Sequence, residues 1–208
     1  MKTLYDLANK YGTDKREQDH NYVRMYEELL SNRKIDNLLE IGLGSGASAL
    51  MWSEALPNSN IHIMEYFDKE HVEVWNSPQI SASNLTIHRG DSTKHESWAN
   101  IPYGFDVIID DGSHYPKDQI ETFNLAFSHL IRGGLYFIED THCNFEQKYT
   151  EGKDIIYNWA LNLVFNQQLP LLGNTNGNFY QLRNLMPIPI RDIYSYHFYK
   201  SVIVFEKA

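Results

Sequence analysis

Five short apolar runs, at 38–41, 61–65, 85–88, 105–110 and 134–140, each break off at charged or small polar residues. Runs of this length, rich in Ile, Leu and Val, read as strands buried on both faces, as in a parallel sheet covered by helices. Between and around them the apolar positions recur at helical spacing. Leu4, Leu7 and Ala8, and then Tyr22, Met25, Tyr26 and Leu29, predict two short helices within residues 1–30. Ala49, Leu50, Trp52 and Ala55 predict a third, broken at Pro57. Residues 69–75 read as a short helix, and 117–130 as an amphipathic one ended by Arg132-Gly133-Gly134. The polar stretch 141–152 reads as a loop, and 154–172 returns to helix. After the turn cluster 174–178, the segment 179–182 and the alternating stretch 194–205 predict a closing antiparallel pair.

Strands alternating with helices define an α/β chain with one doubly wound, mostly parallel sheet. At 208 residues the chain suits a single domain, 1–208, with 1–34 as a helical extension or lid. A formal net charge of −9 and a pI near 5.4 leave no basic stripe for a phosphate backbone, so nucleic acid is not an expected partner. The opening residues lack the apolar core of a signal peptide, no run approaches a membrane span, and the one cysteine, Cys143, forms no internal disulfide. A cytoplasmic protein is the expectation, with a homo-oligomer open.

The polar ends of the strands carry the chemistry. Gly42-Leu43-Gly44-Ser45-Gly46-Ala47 follows the first strand and opens a helix. Glycines there permit a tight turn and close approach of a ligand to backbone N–H groups at the helix N-terminus. Gly42, Gly44 and Ala47 also satisfy G-x-G-x-x-G/A, so the loop alone fits adenosylmethionine or NAD. Glu65, about 20 residues further on, stands where a ribose-binding carboxylate is expected. Asp91 ends the third strand, as a ligand contact, a helix cap, or both. Thr13 or Asp14, in Tyr11-Gly12-Thr13-Asp14-Lys15, reads as the cap of the second helix.

Asp110-Asp111-Gly112-Ser113-His114 and Glu139-Asp140 end two strands expected to be neighbours. Asp111, Glu139 and Asp140 would converge at one sheet edge, where three ionised carboxylates repel unless a cation joins them. An all-oxygen set favours Mg2+, then Mn2+ or Ca2+. His114, three residues past Asp111, can reach whatever the cation holds and accept a proton from it. Methyl transfer to an oxygen uses every part: a donor in the glycine loop, a cation beside the acceptor hydroxyl, and His114 as base. An NAD-dependent oxidoreductase uses the glycine loop but not the acids. An iron site of Asp111, His114 and His142 uses two histidines but not Glu139. A non-catalytic adenosylmethionine-binding protein needs no base.

These motifs, together with Leu39-Glu40-Ile41 and Ala47-Ser48, resemble the class I adenosylmethionine-dependent methyltransferases. Within that class they resemble the metal-dependent sugar O-methyltransferases of macrolide deoxysugars, with cephalosporin-hydroxylase-type sequences as cousins. The resemblance implies the class I methyltransferase fold and S-adenosyl-L-methionine as cofactor. It implies Mg2+ (or Mn2+) held by Asp111, Glu139 and Asp140, with His114 as general base. Donor contacts would come from Tyr11, Thr13, Glu40, Gly42, Gly44, Ser48, Glu65, Asp91, Ser92 and Asp110. The implied acceptor is a hydroxyl of a sugar, nucleotide sugar or polysaccharide precursor, with a phosphate or carboxylate oxygen of a small metabolite as the alternative. Glu65 stands where an aspartate is usual, and Arg16 where a glycine is common.

Overall fold

The computed structural model describes residues 2–66, 80, 84–150, 156–168 and 192–208. Within these residues the strands are β1 (Asn37–Ile41), β2 (Asn60–Glu65), β3 (Leu85–Arg89), β4 (Phe105–Asp110), β5 (Leu130–Ile138), β6 (Ile193–Phe198) and β7 (Ile203–Lys207). They form one sheet in the order β3-β2-β1-β4-β5-β7-β6. β1 to β5 run parallel, and β7 is antiparallel to both β5 and β6. The helices are α1 (Leu4–Tyr11), α2 (Tyr22–Leu30), α3 (Ala47–Ala55), α4 (Pro116–Ala126), α5 (Gln147–Thr150) and α6 (Ile156–Gln168).

Successive strand residues point to opposite faces, and in the central strands β1 and β4 both faces are dry. Leu38, Val107, Ile109, Leu135 and Phe137 pack with α1, α2 and α3. Leu39, Ile108, Tyr136 and Ile138 pack on the other side with Phe123 of α4, Ile156 of α6 and Phe205 of β7. α1 starts in a capping box, in which the Thr3 hydroxyl accepts from Asp6 N and the Asp6 carboxylate from Thr3 N, and it ends at Gly12 in the left-handed region.

Several boundaries depart from the expected ones. α2 begins after Asn21, in the left-handed region (φ 58°), with no side-chain cap. Thr13 and Asp14 therefore cap nothing; they belong to a loop folded on itself, in which His20 N donates to Asp14 O. α4 stops at Ala126 and one 3₁₀ turn, Phe127–His129, follows. Leu130 already belongs to β5, across from Phe105, so Arg132-Gly133-Gly134 lies inside a strand irregularity rather than at a helix end. Of the 141–152 stretch, the described residues 141–150 are not an open loop: Thr141–Phe145 is a 3₁₀ helix with Thr141, Cys143 and Asn144 buried, and α5 follows it. The closing pair forms within the alternating stretch itself, which turns between β6 and β7. The helix expected at 69–75 and the segments 174–178 and 179–182 lie outside the described residues.

The order reverses between β1 and β4, which leave the centre of the sheet toward opposite edges. In open α/β sheets such a switch point makes a crevice beyond the strand ends, and ligands bind there. Gly42, Glu65, Asp111 and Glu139 all follow or close strands at this edge.

Candidate active site

A cavity of about 790 Å³ lies along that crevice, a size that suits a cofactor and part of a second ligand. Its floor is the turn from β1 into α3. Gly42, Gly44 and Gly46 have φ of 100°, 49° and 78°, a region closed to most side chains. Gly42 is also pressed against the neighbouring loop: a Cβ there would lie 2.2 Å from the Asp111 carbonyl oxygen. The strand ends are laced together by Gly42 N donating to Met64 O, Asp111 N to Ile41 O, and Glu139 N to Asp110 O.

Seven of the ten expected donor-binding residues line the cavity: Thr13, Gly42, Gly44, Ser48, Glu65, Asp91 and Ser92. Glu65 is 5% exposed, and one of its oxygens accepts from Leu43 N at 2.5 Å, which fixes the glycine turn to the end of β2. Asp91 accepts from Thr93 N and the Thr93 hydroxyl, so it shapes its own turn rather than capping the 3₁₀ helix His95–Trp98. Tyr11, Glu40 and Asp110 are not lining residues. The Tyr11 hydroxyl bonds Glu54 at 2.5 Å. Glu40 is fully buried beneath the floor, where it accepts from the Ser48 hydroxyl at 2.9 Å. Asp110 accepts from Gly112 N and the Tyr136 hydroxyl, both at 3.4 Å. Burial pushes the Glu40 carboxyl up to about 7 and that of Asp110 up to about 8.

At the acidic end of the cavity Asp111, His114 and Asp140 stand together, each offering one ligand atom within 4.8 Å of the others. Asp140 adopts a left-handed backbone (φ 52°), as does His114 (φ 61°). The His114 Nε2 lies 3.7 Å from Asp140 Oδ2. Glu139 is one residue away but turned inward, where its carboxylate binds the Lys15 ammonium and the Tyr26 hydroxyl.

A family profile described as a methyltransferase domain matches residues 39–141, from β1 to the acids that follow β5. Over 149 residues, 67% of this chain and 37% of the relative, the chain is 32% identical to L-olivosyl-oleandolide 3-O-methyltransferase of Streptomyces antibioticus. It is 31% identical to mycinamicin VI 2''-O-methyltransferase of Micromonospora griseorubida, over 66% of this chain and 35% of that one. A structure of the methyltransferase MycE from the mycinamycin biosynthetic pathway, in complex with Mg and SAH, superposes with a TM-score of 0.79 at 26% identity. The chain belongs to the methyltransferase-domain family. The superposition covers 99% of this chain and 54% of MycE, and the chain spans little more than a third of the length of the curated relatives it matches.

The glycine turn lies inside the stretch that matches the methyltransferase-domain profile. The iron set of Asp111, His114 and His142 does not assemble: His142 groups with His20 and Asp140 instead. The domain also contains a cation that the motif reading passed over. Lys15, 1% exposed, donates to Asp111 Oδ2 at 2.7 Å and to Glu139, with Glu40 at 3.6 Å. Burial alone opposes the charge on Lys15, but Asp111, Glu139 and Glu40 outweigh it and hold the ammonium well above the usual lysine range. Two hydroxyls complete the acidic floor: Tyr22 donates to Asp140 Oδ1 at 2.6 Å, and Tyr26 donates to Glu139. Both tyrosines read as packing residues at helical spacing. The available signal was that buried tyrosines carry hydroxyls that need partners.

Proposed function

We propose that this domain transfers the methyl group of S-adenosylmethionine to a hydroxyl oxygen of a sugar. The sugar would be free, nucleotide-linked or part of a larger acceptor. The observation that carries the reading is that one cavity joins the glycine turn and Glu65 to Asp111, His114 and Asp140. Donor and acceptor can therefore meet without leaving the protein, and alignment of this kind accounts for much of the acceleration in such transfers. Support for the acceptor class comes from relatives that methylate macrolide or tetracenomycin sugars, by their names.

Glu65 and the Gly42–Gly44 backbone hold the ribose and amino-acid ends of the donor. Thr13, from the N-terminal extension, closes over it. The residues at the other end fit a hard divalent cation. Asp111 and Asp140 present carboxylate oxygens to the cavity, and Glu139 would join them by exchanging its Lys15 ion pair for the ion. Asp111, Glu139 and Asp140 would hold Mg2+ (or Mn2+), which when bound supplies fixed positive charge beside the acceptor oxygen. His114 takes the hydroxyl proton at Nε2, the nitrogen that faces Asp140. The oxygen forms its bond to the methyl carbon as the sulfur keeps the departing pair, leaving adenosylhomocysteine.

Calorimetric titration with adenosylmethionine, adenosylhomocysteine and NAD, each with Mg2+ and with chelator, tests the first half. Binding of both adenosyl ligands but not NAD, largely independent of metal, is expected, and binding of NAD alone would overturn the reading. Transfer of labelled methyl to a panel of sugars and nucleotide sugars tests the second half. Labelling confined to phosphate or carboxylate acceptors would reassign the acceptor.

A further inference from the structure

Asp140 faces two ways. Its left-handed backbone (φ 52°) turns Oδ2 toward His114, at 3.7 Å. The other oxygen, Oδ1, points away toward His20 and His142. His20 Nε2 lies 4.0 Å from that oxygen and His142 Nδ1 lies 3.8 Å from it. Donor atoms that share one ion at about 2.1 Å stand about 3.4–3.6 Å apart, so each histidine needs to move only a few tenths of an ångström toward Asp140 to share an ion with it. The ligand atoms of His20, Asp140 and His142 all lie within 4.8 Å of one another, so closing the set takes at most about one ångström of movement, shared between the two imidazoles.

We infer that His20, Asp140 and His142 form a second cation site that takes a borderline divalent ion, Zn2+, Ni2+, Co2+ or Cu2+. Two imidazoles and one carboxylate suit these ions, whereas Mg2+ favours oxygen ligands only. The surroundings prepare the set. The Tyr22 hydroxyl donates to Asp140 Oδ1 at 2.6 Å and its ring stacks on His20 with centroids 5.2 Å apart, so one residue orients two ligands. His142 Nδ1 is 2.6 Å from the Ser201 hydroxyl, a bond it exchanges for the ion. The His20 and His142 side chains are 33% and 42% exposed, which provides both a route from solvent and freedom to adjust. The site rests on side-chain geometry alone and stands whether or not the domain transfers methyl groups.

Titration of the full chain with Ni2+ or Zn2+ in excess Mg2+ tests the inference by calorimetry, with His20→Ala, His142→Ala and His114→Ala as variants. One equivalent is expected to bind the unaltered chain. Loss of even an outer-shell partner weakens a metal site about 10- to 100-fold, so His20→Ala and His142→Ala should each lose at least that much while His114→Ala keeps its affinity. Undiminished binding by His20→Ala and His142→Ala, or loss confined to His114→Ala, overturns the assignment. Cu2+ bound to the unaltered chain offers a check free of folding effects: pulsed electron paramagnetic resonance should count two imidazole nitrogens. A count of one places the ion at Asp111, His114 and Asp140 and refutes the second site.

Discussion

Replacing Lys15 by Met keeps the aliphatic stem and removes the charge. Glu40 and Glu139 are 0% and 1% exposed at the side chain, and Asp111 is 22% exposed, so the two buried carboxylates cannot turn to water when the ammonium goes. Removing one partner of a buried ion pair costs about 3–5 kcal/mol because it strands the other charge. At this chain length each kcal/mol moves Tm by about 2–4 °C, which gives a fall of about 6–20 °C. The pH dependence has a definite sign. Glu40 already titrates at about 7 in the folded protein, above its unfolded value of 4.5, chiefly through burial, with Lys15 pulling it down. The folded state thus binds the proton that the unfolded state has released, and stability falls as pH rises from about 4.5 through the folded value. Without Lys15 that value climbs, so the deficit of Lys15→Met should be smaller at pH 5.5 than at pH 8. Mg2+ should restore more of Tm to the variant than it adds to the parent. Scanning calorimetry at the two pH values, with and without Mg2+, reads all three. A Tm within about 2 °C of the parent at pH 8 would show that the buried ammonium holds nothing together.

Gly42→Ala places a methyl 2.2 Å from the Asp111 carbonyl oxygen at φ 100°, adding strain of about 1–3 kcal/mol; adenosylhomocysteine affinity should drop measurably, and an unchanged Kd would mean that the turn is not where the donor lies. His114→Ala should lower turnover by roughly 10²- to 10⁴-fold, the usual share of a general base, with donor affinity retained; an unchanged rate would leave His114 without a part in the chemistry. His62 Nδ1 and His88 Nε2 are 2.8 Å apart, and burial holds both rings below the usual histidine range. The unfolded chain then takes up protons that the folded one refuses, so stability is lost as pH falls through about 6.5. Urea midpoints at pH 5 and pH 7.5 should differ less in His88→Phe than in the parent, and an equal difference would acquit the pair.

The strands were legible because each core strand is dry on both sides and carries apolar residues at nearly every position. Asp111 and Asp140 were legible because carboxylates ending apolar runs have few structural uses. The helix end at Ala126 was not, since Phe127 and Leu130 continue the helical spacing while Leu130 is claimed by pairing with Phe105. The 141–152 stretch looked like a loop because its polarity is local, whereas the partners of Thr141 and Asn144 are not. Asn144 accepts from Ile156 N at 2.9 Å and donates to Gln119 at 3.3 Å, and the Thr141 hydroxyl meets that of Tyr157 at 2.6 Å. Lys15 sits in a polar turn that reads as exposed. Its partners Asp111 and Glu139 are 96 and 124 residues away in the chain, beyond the reach of any local pattern.

The contact between Gly42 and the Asp111 carbonyl has a consequence for descent. Neither loop has room to change shape alone: a side chain at 42, or an outward shift of the 111–112 backbone, collides with or abandons the other. Lineages of this domain are therefore expected to vary the two loops as a linked pair. Innovation in what is methylated should enter through segments that do not share this seam.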